Sequence, residues 1–210
     1  MLLFLLMTDP TDSITAYAQQ YLDRTEQLAR TFAKPENLAS LEALVGKVEE
    51  VRRAGGTIYF CGNGGSASTA EHVATDLFNN TAKGDDGRIL THSLSSNLPS
   101  ITALGNDFGY GDVFKRQLEG RLSDKDMLVA ISASGNSPNV VFALDYANGM
   151  GVYTVAVVGF ETGGKAKEIA DLAIHIKTEK GEYEHVEDMH MIVGHVLIGY
   201  FKQVLGGNPH

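Results

Sequence analysis

Five short apolar runs, each followed by a helix-length segment, narrow the folds open to this chain more than any other feature. The runs at 57–61 (TIYFC), 88–95 (RILTHSLS), 126–132 (DMLVAIS), 152–159 (VYTVAVVG) and 172–177 (LAIHIK) read as strands. Helical patterns lie at 66–78, around 98–105, near 110–120, at 137–149, near 163–170 and from about 186 to 204. Strands that alternate with helices imply a parallel sheet covered on both faces. In such sheets a ligand sits beyond the carboxyl ends of the strands. Two loops at such ends stand out: CGNGGSASTAEH at 61–72 and SASGNS at 132–137.

Two helices precede the first strand. Residues 11–32 form an amphipathic pattern with Thr11 or Asp12 as the cap and a stripe of Ile14, Ala18, Tyr21, Leu22, Leu28, Ala29 and Phe32. Pro35 suits the first turn of the next helix, Leu38, Leu41, Val45 and Val48 continue its apolar face, and Gly55-Gly56 ends it. Both cannot be crossovers, so a helical hairpin packing on neighbouring subunits is expected for residues 1–56. Residues 57–210 then form the sheet domain, the whole chain being one structural unit.

The formal net charge of −9 argues against nucleic acid or an anionic membrane as the main partner. It does not exclude a small anion, which backbone dipoles can hold within an acidic protein. The single cysteine, Cys61, rules out an intrachain disulfide and fits a reducing cytoplasm. The N-terminal MLLFLLMTDP lacks a basic flank and is too short to span a bilayer, so no signal or anchor is expected, and Met7 is an alternative start.

The two loops share one chemistry. A helix N-terminus presents unpaired N–H groups and about half a positive charge. Glycines let the backbone approach an anion, and serine hydroxyls add small donors. Asn63, Gly64, Gly65 and Ser66 in the first loop, with Ser132, Ser134 and Ser137 in the second, suit a phosphate held by neutral groups. No Gly-Lys-Ser/Thr follows, and the third glycine comes one place too early for GxGxxG. One such loop alone is equally a tight turn with serine caps. Two at the same sheet edge favour a bound anion.

His72 and Asp76 are four residues apart on the helix after the first loop, so both project to one face. That spacing suits two ligands of one metal ion. In the last helix Glu187 pairs more easily with His190 than with His195 by spacing alone. Residues eight apart on a straight helix differ by about 12 Å in height and roughly 80° in direction. Either Glu187 precedes the regular helix, or Glu187 and His195 serve one ion from different subunits. His92, His175 and His185 have no evident partner.

Taken together, CGNGGSASTAEH, ALGNDFGYGDVFKRQ (103–117), ISASGNSPNV (131–140) and VEDMHMIVGH (186–195) resemble the SIS (sugar isomerase) domain family, and within it the phosphoheptose isomerases. The resemblance implies a flavodoxin-like α/β sandwich around a five-stranded parallel sheet, and a homotetramer with active sites between subunits. It implies substrate contacts at Asn63, Gly64, Gly65, Asn106, Asp107, Ser132, Ala133, Ser134, Ser137 and Glu187. It implies one Zn2+, or a similar divalent ion, per site on His72, Asp76, Glu187 and His195, with Asp76 as the base and His195 as the acid. The chain departs from the family pattern at Asp76 (usually glutamate), Glu187 (glutamine), Ala133 (threonine) and Asn80 (often arginine). The implied reaction converts sedoheptulose 7-phosphate to D-glycero-D-manno-heptose 7-phosphate through an enediolate. Two alternatives are an isomerase of another sugar phosphate and a non-catalytic relative that binds a replication initiator.

Overall fold

A computed structural model describes residues 13–81 and 87–206. The expected caps Thr11 and Asp12 and the apolar N-terminal run lie outside the described residues. There α1 (Ile14–Phe32) is capped by Ser13, whose Oγ accepts the Ala16 N–H at 3.3 Å. A two-residue link leads to α2 (Pro35–Ala54), with Pro35 in the first turn and Gly55 in a left-handed C-cap.

The rest alternates as the apolar runs predict: β1 (Thr57–Gly62), α3 (Gly65–Asn80), β2 (Leu90–Ser93), α4 (Leu98–Phe108), a 3-10 turn (Tyr110–Asp112), α5 (Val113–Leu118), β3 (Met127–Ser132), α6 (Pro138–Gly149), β4 (Tyr153–Val158), α7 (Gly164–Ile169), β5 (Leu172–His175) and α8 (Tyr183–Val204). All neighbouring strands are parallel, in the order β2-β1-β3-β4-β5. This is the flavodoxin-like order, with its switch point between β1 and β3.

The pleat sends alternate side chains to two cores. Ile58, Phe60, Met127, Val129, Val155 and Val157 face α2, α3 and α8. Tyr59, Cys61, Leu128, Ala130, Ala156 and Val158 face α5, α6 and α7. Burial pushes the Cys61 thiol up to about 12, so it is an inert core group.

The first two helices are part of this core. α2 packs on β5 and β1, and α1 packs on α8. Leu28, Leu44, Val48 and Val51 are buried against the sheet side. The apolar stripe expected on α1 divides: Leu28 faces the core, while Ile14 and Leu22 are exposed. None of the described helices is long and apolar enough to cross a membrane.

Candidate active site

The switch point sets the loops after β1 and β3 side by side. Asn63, Ser66, Ser132, Ala133, Ser134 and Ser137 line one cavity of about 150 Å³, together with Tyr183 and Glu187 from α8. Three long helices, α3, α6 and α8, begin at this cavity. Their N–H groups and dipoles converge there, which suits an anion without any lysine or arginine in the lining.

The hydroxyls are set to donate. Ser132 Oγ accepts the Gly135 N–H at 3.1 Å, and Ser134 Oγ accepts the Asn136 N–H at 3.2 Å. A hydroxyl already used as an acceptor keeps its proton for a ligand. Ala133 differs: its methyl is buried against Phe160 and Val186, so only its backbone can serve the cavity.

Asn63 is committed to the frame. Its amide exchanges two hydrogen bonds with Asn139, at 2.9 and 2.8 Å, and its Oδ1 also accepts the Tyr110 hydroxyl at 2.9 Å. Asn139 is fully buried in the first turn of α6, so this pair ties one loop to the other. Sequence reasoning passed over both Asn139 and Tyr110. The available signal was an asparagine just after Ser-Pro at a helix start, where a side chain faces back toward the strand ends. Asn106 and Asp107 lie near the end of α4, bonded to each other at 2.9 Å, and neither lines this cavity.

Glu187 lies within α8, so it does not precede the regular helix. Its carboxylate stands against Gly65: a Cβ there would lie 2.1 Å from Oε2. Burial raises the Glu187 carboxyl above its ordinary value, and the charges of Glu184 and Asp188 add to the effect.

His72 and His195 meet across α3 and α8. Their Nε2 atoms are 2.9 Å apart, with the rings nearly perpendicular. Asp76 Oδ2 is 3.6 Å from His72 Nε2. The close approach depends on Gly194, where a Cβ would lie only 2.4 Å from Val73 Cγ2. Val73 and Gly194 adjoin the two histidines, so the tight helix contact is what lets the imidazoles touch.

Two imidazole nitrogens and a carboxylate are a donor set suited to zinc or a similar divalent ion. Among the described residues, no group of three such side chains closes around one point. Glu187, two turns earlier on α8, belongs to the cavity rather than to the histidine pair of its own chain. His190, its easier partner by spacing, faces the core between α8 and the sheet, and neither ring nitrogen makes a well-formed hydrogen bond.

The geometry can be set beside known proteins. A phosphoheptose isomerase from Akkermansia muciniphila is 38% identical over 180 residues, covering 82% of this chain and 93% of that protein. The chain belongs to the phosphoheptose isomerase family. The SIS domain signature matches residues 16–159. A phosphoheptose isomerase from Rhodospirillum rubrum is also 38% identical, over 76% of the chain and 83% of that protein. The structure of a phosphoheptose isomerase from Neisseria gonorrhoeae superposes with a TM-score of 0.82 over 91% of this chain and all (100%) of that one, at 23% identity. That likeness concerns the fold. Both the cavity loops and the His72 helix fall inside the SIS match, whereas α8, with Glu187 and His195, lies beyond its end.

Proposed function

We propose that the chain is a ketose–aldose isomerase that interconverts sedoheptulose 7-phosphate and D-glycero-D-manno-heptose 7-phosphate. The carrying observation is the pairing of His72 and His195 at 2.9 Å on the same two helices whose starts line the serine-rich cavity. One end of the substrate is an anion and the other must exchange protons, and these helices offer a place for each.

The phosphate is bound by the hydroxyls of Ser66, Ser132, Ser134 and Ser137 and by the amides at the helix starts. Fixing it makes proton transfer at the other end effectively intramolecular. Asp76 takes the proton from C1 of the ketose and returns it at C2, and His195 passes the hydroxyl proton from O1 to O2. The enediolate between these transfers needs positive charge near its oxygens. A divalent ion, when bound, supplies it by polarising the carbonyl. His72, Asp76 and His195 would hold that ion, with Glu187 of a neighbouring subunit as the fourth donor. Two imidazoles and two carboxylates would neutralise a divalent charge, making it a weaker Lewis acid than one with a neutral amide ligand.

Assembly as a homotetramer, with α1 and α2 against neighbours and sites between subunits, is supported by exposed apolar side chains. Ile14, Tyr17 and Leu22 on α1, and Val196, Tyr200 and Val204 on α8, are all exposed. Asn106 and Asp107 would reach substrate in such an assembly. A cytoplasmic site of action fits the lone, buried Cys61.

The test is turnover of sedoheptulose 7-phosphate, with the product anomers identified by NMR, in purified protein before and after chelation. Production of the heptose, lost on chelation and restored by Zn2+, is the expected result. Asp76→Asn should cut kcat far more than substrate affinity; equal loss of both would remove Asp76 from the role of base. A panel of other sugar phosphates turned over faster would overturn the heptose assignment.

A further inference from the structure

The loop after β4 (ETGG, 161–164) reaches back onto the loop after β3, and one side chain joins them. Asn136 Nδ2 donates to the Ser134 carbonyl at 3.0 Å, and its Oδ1 accepts the Lys165 N–H at 3.0 Å. Its own N–H donates to Ser134 Oγ at 3.2 Å. Beside it the Ala166 N–H donates to the Gly135 carbonyl at 2.8 Å.

The two loops are as close as backbones can come. A Cβ on Gly135 would lie 1.9 Å from the Gly163 carbonyl oxygen, and one on Gly164 would lie 2.3 Å from the Ser134 oxygen. Both glycines have positive φ, 64° and 62°. No side chain fits between, so Asn136 spans a contact that the glycines create.

Asn136 does not line the anion cavity, but Ser134 and Ser137 on either side of it do. We infer that Asn136 is a positioning residue: by tying Ser134 to the loop after β4, it holds the serine hydroxyls in register for the phosphate and thereby sets phosphate affinity. This rests on the reading that the loop after β3 binds the phosphate. The physical ground is preorganisation. A loop whose donors are fixed before binding loses less freedom when the anion arrives. Asn136 is itself exposed and its bonds go to backbone, so its removal leaves the core intact.

The experiment compares Asn136→Ala, Gly164→Ala and Ser137→Ala with the parent chain. It uses KM and kcat for sedoheptulose 7-phosphate, Ki for inorganic phosphate as a competitive inhibitor, and the thermal midpoint. Asn136→Ala is expected to raise KM and the phosphate Ki together by about five- to tenfold, the worth of one or two hydrogen bonds, while kcat stays within about twofold. Gly164→Ala, which pushes the Ser134 carbonyl from the other side, should give the same signature. If Ser137→Ala weakens phosphate and Asn136→Ala does not, the inference fails and the phosphate loop stands. If neither weakens phosphate, the assignment of the loop fails too. A lower thermal midpoint with unchanged KM and Ki would make Asn136 a structural residue only and would overturn the inference.

Discussion

His190 makes the fold sensitive to mild acid. The ring is 2% exposed and faces the sheet among Val73, Val129, Val157 and Leu197, and neither nitrogen makes a well-formed hydrogen bond, the Val158 backbone offering only a weak one that opposes the burial effect. Burial lowers its pKa from the ordinary 6.5 to about 4. The folded chain therefore resists a proton that the unfolded chain accepts. This stability is complete above pH 6.5 and is lost as pH falls toward 4. By linkage the full loss is roughly 3 kcal/mol, of which about 2 kcal/mol has gone by pH 5. That is a large part of the 5–15 kcal/mol typical of a folded domain. His92 and His175, also lowered by burial, act in the same window, so the contribution of His190 is isolated by difference. The carboxyls of Glu49 and Glu182, held low by arginines, add their losses only at more acid pH. The perturbation is His190→Met, which keeps the volume and removes the titration. Urea midpoints at fixed protein concentration, from pH 7.5 to 5, should fall more steeply in the parent by about 2 kcal/mol. At pH 7.5 the variant should be as stable or more so, since two poorly satisfied nitrogens leave the core. Parallel curves that agree within about 0.5 kcal/mol would refute the reasoning.

Three further perturbations test the site. Gly194→Ala should separate α3 from α8, because the added carbon would lie 2.4 Å from the stiff Val73; turnover should drop at least about tenfold. His72→Ala and His195→Ala should each nearly abolish kcat, and the double variant should be scarcely worse than either single one, as expected of rings 2.9 Å apart that act as a unit. Glu187→Gln should lower the Ki of inorganic phosphate by at least about threefold, since it removes a negative charge from the cavity. In the parent that Ki should rise as pH climbs through the raised Glu187 titration, and in the variant this slope should vanish.

Much of this was legible in the sequence because its signals are local. An apolar run that ends in glycine and serine marks the carboxyl end of a strand, and both cavity loops lie where those runs end. The facing of His72 and Asp76 on one side of α3 follows from helical spacing. What escaped depends on partners far along the chain. Asn63 and Asn139, 76 residues apart, are joined only because β1 and β3 are neighbours in the sheet. The start of α8 at Tyr183 rather than near 186 follows from polar residues with no periodic signal of their own. They are held instead by α1: Arg24 pairs with Glu182, and Tyr21 stacks on His185 and bonds Asp188. Likewise no pattern in the sequence announces that Ile14 and Leu22 turn away from the core while Leu28 turns in.

Glu187 and His195 are carried by a single rod, and that couples the cavity to the histidine pair. Eight positions apart on one helix, they are separated by a fixed stride of about 12 Å. Sliding or tilting α8 moves both stations together, so neither can be adjusted alone. Inserting one residue between them would swing the imidazole about 100° around the axis and away from His72. Only a change of whole turns would keep both facing inward, and each turn alters the span by about 5.4 Å. Sequence drift can therefore repaint the walls of this cavity freely, but the distance from it to the histidine pair can change only in jumps.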